Sequence, residues 1–517
     1  MLGGLAVSRQ SGPSQNHSHA FDYVVIGAGS SGCVIANRLS ADPHTRVLLI
    51  EAGGPDVHPL IPVPGKWTSL MGTPVDWNYS TEPDPGLAGR SLKWPRGRTY
   101  GGSSALNAMA YVRGHQLCYD AWAEDVGASW AYREVLPYFL RAEDNSRGRS
   151  DHHGSGGPLA VSDTTDPHAG HIAFLAAARE LGFGGRADWD FNGPQQEQGA
   201  GYYQKNIRNG RRHSAATAFL SPVLKRPNLV VWPDSRVLRL TMTGRRVSGV
   251  EVGRAKSVER VTVAREVIVS AGVIESPKIL MLSGIGPADE LRSHGIEVTA
   301  DLPGVGANLH DHPRVSVRWN ARQPMAPSTV SAGLFTYSRR GVSPLPPDLQ
   351  FYVGRGLDVV DPFVTLTVAV SQPRSRGMVR LRSADPTAAP VITPSYFGAE
   401  EDLDALVEGV RLALALAETR PYAGLLGAAA DPNPSSRTVA DLRTFVRRTA
   451  DTIFHPVGTC RMGTGDAAVV DARLRVHGVE GLRVADGSVM PTTVNSQTHS
   501  ACVMIGEKVS ESIIANR

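Results

Sequence analysis

The sequence predicts a protein of the α/β plus α+β class that folds as two domains, and three observations support this prediction. A chain of 517 residues is too long for one typical hydrophobic core. A glycine-rich turn near the N-terminus lies between a short apolar run and a helical pattern, as in a parallel β-α-β unit. Later segments alternate apolar and polar residues like antiparallel strands, and an amphipathic helical pattern follows them.

Composition narrows the class of protein and its partners. Hydrophobic residues make up 41% of the chain and charged residues 20%, which is typical of a globular protein and not of a disordered or fibrous one. The net charge is only +4 and no Lys/Arg run could follow a phosphate backbone, so we expect no nucleic-acid partner. No apolar window is long enough to cross a bilayer, so we expect no transmembrane segment.

The N-terminus and the cysteines indicate the compartment. Residues 1–20 lack a basic region followed by an apolar one, so we interpret them as a flexible leader and not as a signal peptide. The four cysteines are scattered, with no CxxC pair and no metal-ligand spacing. We therefore expect reduced thiols, no metal site and a cytoplasmic location.

The first element is a dinucleotide-binding unit. The apolar run Tyr23–Ile26 predicts a buried strand, and Cys33–Leu39 has helical periodicity. Val47–Ile50 predicts a second strand, which ends on Glu51. Glu51 follows Gly32 by nineteen residues, a position from which an acid accepts hydrogen bonds from a ribose diol. An acid there favours an unphosphorylated ribose, and so FAD or NAD over NADP.

Three glycines between the strand and the helix fit the phosphates of such a ligand. In the order Gly27-x-Gly29-x-x-Gly32, the first permits a tight turn and the second lets the backbone approach a pyrophosphate. The third allows close packing of helix on strand. The helix N-terminus then offers unpaired N–H groups to the phosphates.

The stretch after Glu51 does not continue with the regular β-α-β units that a nicotinamide enzyme would have. Residues 53–114 are rich in proline and glycine, and a connection of this length usually serves as a lid or a cofactor wrap. Its end, "RGRTYGGSSALNAMAYVRG", sets Gly101 and Gly102 close to Asn107. This is a second place where the backbone can approach a flat or charged ligand.

The later elements are strands and one helix. "NLVVWPDSRVLRLTM", "RVSGVEV" and "RVTVAREVIVSAG" read as strands joined by turns, and "PPDLQFYVGRG", "VTLTVAVSQ" and "GMVRLRSAD" predict a later sheet. "EEDLDALVEGVRLALALAET" has helical spacing and acids at its start, which indicates a helix packed on that sheet. The loop "RGRSDHHGSGG" is expected at the surface, with His152 and His153 facing solvent.

Several motifs together resemble the glucose–methanol–choline (GMC) family of FAD-dependent oxidoreductases. They are the Gly27–Gly32 turn, "GRTYGGSSALNAMAYVRG", "SAGVIESPKILMLSGIGP", "LPGVGANLHDH", "HPVGTCRMG" and "LRVADGSVMPT". They run in the family's order from about residue 21 to the C-terminus, so the resemblance covers nearly the whole chain. The length is closest to compact bacterial alcohol oxidases, and the Arg-over-Lys and Ala/Gly/Pro bias suits a bacterial source.

The resemblance implies how the two domains are assembled. A Rossmann-like FAD-binding domain would be built from discontinuous segments, residues 21–155, 225–315 and 455–517. A substrate domain, built on an antiparallel sheet flanked by helices, would comprise residues 156–224 and 316–454.

The resemblance also implies the cofactor residues. The ADP half of FAD would be held by Gly27, Gly29, Gly32 and Glu51. The flavin would lie near Gly102, Ser103 and Asn107. Asp486 would lie near the ribityl and pyrophosphate groups, and Val237 would contact the adenine through its backbone, although a plain core valine is an equal alternative. Some members attach FAD through a histidine at the position that Leu106 holds here, so we expect non-covalent FAD.

Two histidines match the family's active-site positions. His455 would be the base that takes the hydroxyl proton of an alcohol while hydride passes to the flavin, and His499 would orient the oxygen. An imidazole suits this role because its ordinary pKa of about 6.5 leaves it mostly neutral at physiological pH. Which of the two takes the proton stays open, because two close imidazoles titrate as a coupled pair. Phe351 and Phe454 are expected to shape the substrate pocket.

The expected reaction is oxidation of a primary alcohol (aryl, furan, pyridoxine-like or aliphatic) to an aldehyde. The partners would be a small alcohol and an electron acceptor, and we favour O2, with H2O2 as product. The apolar Ile453 beside His455 is compatible with O2. Three alternatives remain open: a hydroxynitrile lyase of the same family, a light-driven fatty-acid decarboxylase, and a tailoring oxidase for a larger natural-product alcohol. The sequence leaves the oligomeric state undetermined.

Overall fold

The computed structural model describes residues 20–197, 199–326, 328–339, 345–353, 361–432 and 437–516. The expected leader, residues 1–20, lies outside this part of the chain except for Ala20, where the first strand begins.

The strands are numbered in chain order. They are β1 (Ala20–Ile26), β2 (Val47–Ile50), β3 (Tyr79–Ser80), β4 (Lys93–Trp94), β5 (Glu143–Asn145), β6 (Leu159–Val161), β7 (Gly184–Gly185), β8 (Gly199–Tyr202), β9 (Ile207–Arg208), β10 (Arg211–Arg212), β11 (Leu229–Trp232), β12 (Arg236–Thr243), β13 (Arg246–Arg254), β14 (Ser257–Val269), β15 (Ile285–Gly286), β16 (Ala300–Asp301), β17 (Pro313–Met325), β18 (Ala332–Thr336), β19 (Leu349–Val353), β20 (Asp361–Val370), β21 (Met378–Arg380), β22 (Val391–Thr393), β23 (Leu426–Asp431), β24 (Asp451–Thr452) and β25 (Leu482–Val484).

The α-helices are α1 (Ser30–Leu39), α2 (Gln116–Val126), α3 (Tyr132–Ala142), α4 (Ala169–Glu180), α5 (Gly272–Leu282), α6 (Ala288–Ser293), α7 (Glu400–Ala417), α8 (Arg420–Ala423), α9 (Val439–Thr449) and α10 (Thr498–Ala515).

The first sheet joins segments that are far apart in sequence. Its order is β11-β2-β1-β14-β13-β12, and β25 pairs with β14. The pairs around β1 and β2 are parallel, whereas β14, β13 and β12 form an antiparallel meander. All four residues of β2 are buried, which explains why this strand is a continuous apolar run. The fold class predicted from the sequence is confirmed, with a Rossmann-like sheet built from discontinuous segments.

The second sheet has the order β23-β17-β20-β19-β18-β8-β7, and β24 pairs with β17. Its pairs are antiparallel except β7 with β8. Helix α7 packs on β20, as expected from its apolar spacing. The prediction for "GMVRLRSAD" was wrong: β21 pairs with β22 outside this sheet. The backbone N–H of Val379 instead donates to the Gly306 carbonyl, at 2.7 Å.

Helices α1 and α10 are tightly packed, although they come from opposite ends of the chain. A Cβ on Gly506 of α10 would lie 2.9 Å from the carbonyl oxygen of Ser31 in α1. The Ser31 hydroxyl donates to the Cys502 carbonyl at 2.7 Å. Arg38 and Glu507 form an ion pair at 2.6 Å. These contacts hold α1 against the middle of α10.

The structure corrects the prediction that both loop histidines face solvent. His153 is buried, and its ring nitrogens contact Asn145 at 3.0 Å and Asp190 at 2.8 Å. Burial opposes a charge on this ring, but hydrogen bonds to Asp190 and Glu143 outweigh it and raise the pKa of His153 to about 9. The loop therefore contributes a cation to a buried cluster, a contact that its hydrophilic sequence does not reveal.

We predict that the Arg113–Glu143 ion pair is a stability hotspot. The two groups are 2.6 Å apart and both side chains are almost fully buried. Arg113→Met leaves the Glu143 carboxylate without its guanidinium partner, so the free energy of unfolding should fall by about 3–5 kcal/mol in a denaturant titration. Arg133→Met breaks the pair with Glu134, which is exposed, and should change it by less than about 0.5 kcal/mol. Equal losses in the two variants would contradict the prediction.

Candidate active site

A cavity of about 1110 Å³ is lined by elements that belong to both large sheets. The turn between β1 and α1 lies on its wall, and so do side chains of β17, β19 and β20. Pockets for one small ligand usually measure about 300–1,000 Å³. The volume therefore lies slightly above the usual range for one small ligand.

The glycine-rich turn has the geometry expected for a dinucleotide. Gly27 has φ +96°, and a Cβ there would lie 2.5 Å from the Ser270 carbonyl oxygen. A Cβ on Gly32 would lie 1.9 Å from the Gly27 carbonyl oxygen, so close packing requires this glycine. A Cβ on Gly29 would approach no protein atom closer than 3.9 Å. The protein itself leaves this position open, as expected where a ligand approaches the backbone.

The start of α1 and Glu51 complete this end of the cavity. No side chain caps the N-terminus of α1 at Gly29, so its first N–H groups are available to phosphates. The Glu51 carboxylate accepts hydrogen bonds from the N–H groups of Ala28 and Gly53, both at 2.8 Å. Burial raises the pKa of Glu51 to about 7, although these N–H groups lower it. The carboxylate lines the cavity, where a ribose diol could donate to it.

The two glycine-rich segments contact each other. Gly102 has φ +51°, and a Cβ there would lie 2.8 Å from the Cα of Gly29. The N–H of Gly101 donates to the Ala28 carbonyl at 2.8 Å. The Ser103 hydroxyl accepts from the N–H of Gly97 at 3.2 Å. The two places predicted for close backbone approach to a ligand are therefore one continuous surface.

Asn107 lies on the cavity wall and is fixed by a buried arginine that the sequence did not indicate. Its side-chain oxygen accepts from the Met109 N–H at 3.1 Å and from Arg212 at 2.9 Å. Arg212 also donates to the backbone carbonyls of Ile61 and Ser104. Burial lowers the pKa of Arg212 to about 9. Arg212 lies in "NGRRHS", where no local pattern distinguishes it from a surface arginine.

Asp486, Val237 and Leu106 also lie on the cavity wall. The Asp486 carboxylate accepts from the N–H of Gly272 at 2.8 Å and from the hydroxyl of Ser276 at 2.6 Å. It thereby attaches the first turn of α5 to the C-terminal segment. The roles assigned to Val237 and Asp486 toward a cofactor remain predictions.

Two neighbouring residues, Asp311 and His312, fix the position of His455. The backbone N–H of His455 donates to the Asp311 carboxylate at 2.9 Å. Its Nδ1 lies 3.0 Å from Nδ1 of His312. Burial, then the charges of His312 and Arg96, lower the pKa of His455 well below its ordinary value. The ring is therefore neutral at physiological pH and can accept a proton.

His312 is a functional candidate that the sequence analysis missed. It is fully buried, and burial lowers its pKa to about 3. Its Nε2 lies 3.1 Å from the hydroxyl of Thr493, which itself donates to the Val494 carbonyl. The available signal was the position of His312 at the end of "LPGVGANLHDH", but its contact with His455 spans 143 residues.

His499 stands in the first turn of α10 and lines the same cavity as His455. Its Nδ1 lies 2.8 Å from the hydroxyl of Ser30, at the start of α1. Burial, and then the charge of Arg212, lower the pKa of His499 to about 4. The close packing of α1 and α10 thus places this imidazole beside the dinucleotide-binding turn.

The two predicted pocket phenylalanines have different positions. Phe454 lines the cavity, but Phe351 does not: it is fully buried in the apolar core of the second sheet, and its prediction was wrong. Side chains of a strand alternate between faces, so the neighbouring Tyr352 lines the cavity instead. The Tyr352 hydroxyl accepts a hydrogen bond at 2.8 Å from the side chain of Gln497, and Gln497 lies two residues before His499 in the sequence.

Comparisons with known proteins agree with this architecture. A family model described as GMC oxidoreductase matches residues 21–314, and a second with that description matches residues 373–506. An oxygen-dependent choline dehydrogenase of Brucella anthropi is 39% identical, over 95% of each chain. The crystal structure of pyridoxine 4-oxidase from Mesorbium loti is 34% identical with a TM-score of 0.91, covering 96% of this chain and 100% of that one. A fungal aryl-alcohol oxidase is 26% identical with a TM-score of 0.84, covering 96% and 99%.

In the part of the chain that the structure describes, no helix combines the length and apolarity needed to span a membrane.

The glycine geometry gives a paired prediction. Gly32→Ala places a Cβ against the Gly27 carbonyl and should lower the thermal midpoint, because overpacking costs about 1–3 kcal/mol or more. Gly29→Ala meets no protein atom, so it should keep the wild-type midpoint measured without ligand yet lose bound dinucleotide, measured by absorbance of the purified protein. A Gly29→Ala variant with full cofactor content would show that the ligand does not approach this backbone.

Proposed function

The chain belongs to the GMC oxidoreductase family, and from this premise we propose that it oxidises a primary alcohol to an aldehyde with non-covalently bound FAD. The observation that carries the proposal is the pair of half-buried, neutral imidazoles, His455 and His499, on the wall of the cavity that also contains the glycine-rich turn. The names of three similar proteins refer to choline, pyridoxine and aryl alcohols. The substrate classes we favour are aryl, furan, pyridoxine-like and aliphatic alcohols.

The chain's own residues fit FAD. Gly29 leaves the backbone open to the cavity, the first turn of α1 has free N–H groups, and Glu51 offers carboxylate oxygens to a ribose. Leu106 lies on the cavity wall and its side chain has no atom that could bond to a flavin, which supports non-covalent binding. Ile453 lines the same cavity and supports O2 as the acceptor, with H2O2 as product.

The hydrogen bonds around His312 favour one tautomer of His455. The Thr493 hydroxyl donates to the Val494 carbonyl, so it accepts from Nε2–H of His312. Nδ1 of His312 is then the acceptor for Nδ1–H of His455. This leaves Nε2 of His455 unprotonated, as a general base requires.

His499 takes the complementary role. When the Ser30 hydroxyl donates to Nδ1 of His499, Nε2 carries the proton and can donate to the substrate oxygen. The alcohol would then be held between an acceptor on His455 and a donor on His499. His455 removes the hydroxyl proton, which raises the hydride-donating power of the carbinol carbon. Bound FAD would supply the hydride acceptor.

The test of the function is anaerobic flavin reduction. The purified protein is mixed with aryl, furan, pyridoxine-like and aliphatic primary alcohols in turn, and bleaching of the oxidised flavin band is expected with at least one class. Admitting air should restore the band and produce H2O2. A flavin that dithionite reduces but no alcohol bleaches would contradict alcohol oxidation, and hydroxynitrile cleavage and illuminated fatty acids would be assayed next.

Replacing the proposed base should stop chemistry without unfolding the protein. We expect His455→Ala to retain FAD while the rate of flavin reduction falls by roughly 10²–10⁴-fold, the range for a general base. The measurement is stopped-flow reduction under saturating alcohol, with flavin content and circular dichroism as controls. A folded, flavin-loaded variant with near-normal reduction would return His455 to a structural role.

The proposed role of His312 can be tested through the pH dependence of flavin reduction. Wild-type flavin reduction should be flat from about pH 6 to about pH 8, because the pKa of His455 is lowered well below 6.5 and the base stays unprotonated. His312→Ala removes a neighbouring ring and admits water, so the pKa of His455 should rise toward about 6.5 and the rate should fall below that pH. The pH-independent rate should fall about 10- to 100-fold.

Two further variants separate positioning from general damage. His312→Asn keeps an acceptor near the position of Nδ1 and should recover part of the rate. His310→Asn alters an equally buried histidine of the same segment, whose Nδ1 contacts the Asn308 carbonyl, and should leave the pH profile unchanged. If His312→Ala also keeps the wild-type profile, His312 does not position the base.

A further inference from the structure

Lys205 is a buried cation that no group neutralises at close range in the part of the chain that the structure describes. Only 3% of the residue is exposed, yet it lines the cavity. Within the described residues its ammonium group has no hydrogen-bond acceptor and no carboxylate within ion-pair distance. Burial lowers the pKa of Lys205 to about 8, so it is largely protonated at neutral pH. An unpaired buried charge is costly, which raises the question of its partner.

The titratable groups that influence Lys205 have other partners or are neutral. Asp166 raises its pKa and Arg212 lowers it, both as weaker influences than burial. The Asp166 carboxylate accepts from the N–H and hydroxyl of Thr329, at 3.1 and 2.8 Å. His171 lies on the other side, and burial lowers the pKa of that ring to about 2, so it is neutral. None of these groups acts as a close counter-ion.

In contrast to Lys205, the carboxylates that line the cavity have hydrogen-bond or ion-pair partners. Every acid among the described residues that line the cavity is engaged by backbone N–H groups, hydroxyls or an arginine. They are Glu51, Asp76, Glu275, Asp451 and Asp486. The cavity therefore has an unpaired cation and no unpaired anion.

Lys205 lies beside Ala110, in the part of the cavity wall where we place the substrate. Its backbone pairs with Ala110, three residues after Asn107, and with Ser162. The neutral His171 beside it packs near Tyr202 and the end of β19, the strand that presents Tyr352 to the cavity. Tyr352 in turn contacts Gln497, next to His499. The ammonium group and the two histidines thus face one continuous space.

We propose that Lys205 binds an anionic oxygen group, a carboxylate or a phosphate, on the alcohol that this protein oxidises. The inference rests on the proposed function and adds the substrate's charge to it. A charge-assisted hydrogen bond would satisfy the ammonium on substrate binding. A substrate with a quaternary or primary ammonium group would instead meet this cation with no free carboxylate to offset it.

The first test compares matched alcohols with the wild-type holoenzyme. For the carboxylate source, 2-, 3- and 4-(hydroxymethyl)benzoate are compared with their methyl esters and with (aminomethyl)benzyl alcohols. For the phosphate source, pyridoxine 5′-phosphate is compared with pyridoxine. We expect kcat/KM for at least one anion to exceed that of its neutral partner by roughly 10- to 100-fold, and the cations to be the poorest. No preference for any anion would overturn the proposal.

The second test changes the residue. Lys205→Met should abolish the anion preference, measured as the ratio of kcat/KM for the anion to kcat/KM for its neutral partner. Lys205→Arg should retain part of the preference. Lys225→Met removes the same net charge from an exposed position and should change nothing. An unchanged preference in Lys205→Met would assign it to another group.

Binding gives a readout that does not depend on turnover. The non-oxidisable 4-methylbenzoate, or the methylbenzoate isomer that matches the preferred alcohol, is titrated while the flavin absorbance is recorded. Affinity should fall in Lys205→Met and should fall in wild type as pH rises above about 8, because the ammonium then loses its proton.

If no alcohol reduces the flavin but the anion still binds through Lys205, the proposed reaction fails and the anion site stands. If neutral alcohols react and anions gain nothing, the reaction stands and the anion site fails.

Discussion

The close packing of α1 against α10 is the constraint on which the site depends. A substitution at Gly506 would meet the Ser31 carbonyl, and the Ser31 hydroxyl is bonded to α10. The first turn of α1 carries the dinucleotide-binding turn, whereas the first turn of α10 carries His499. The Ser30 hydroxyl lies 2.8 Å from Nδ1 of His499, so the two turns are in contact and a cofactor bound at one would lie close to the imidazole on the other. In the proposed reaction, the packing of these helices would therefore set the distance between the cofactor and this imidazole.

Histidines in this protein have raised or lowered pKa values according to the groups around them. His153 meets two carboxylates, and these raise its pKa to about 9 in spite of burial. His312 and His499 meet carbonyls, hydroxyls and an arginine, and burial lowers their pKa values to about 3 and about 4. The first ring is a structural cation, and the others are neutral hydrogen-bonding groups. A histidine in this protein is therefore a cation where its ring nitrogens meet carboxylates and neutral where they meet carbonyls or hydroxyls.

Local sequence patterns predicted the parts of the site that depend on backbone geometry. The three glycines, Glu51 and the strands around them were identified because each has a fixed spacing. His455 and His499 were identified by resemblance, since a histidine near an apolar run has no signature of its own. Phe351 was misassigned because alternation shows that neighbouring residues face opposite sides, but not which side is the cavity. His312, Arg212 and Lys205 were missed because their roles arise from contacts between distant segments, which no local pattern encodes.

The contact between Ser30 and His499 joins positions 469 residues apart, which has a consequence for biosynthesis. Strand β25 and helix α10 complete the first sheet and the cavity, and both are translated after all the other elements. Until they emerge from the ribosome, β14 lacks one of its two parallel neighbours and α1 lacks α10 against its packed face. Domains usually fold as units during synthesis, but here the nascent chain must keep an apolar surface exposed until β25 and α10 have been translated. Cofactor loading is therefore expected to follow the synthesis of α10, and chaperone demand should be highest just before β25 and α10 emerge.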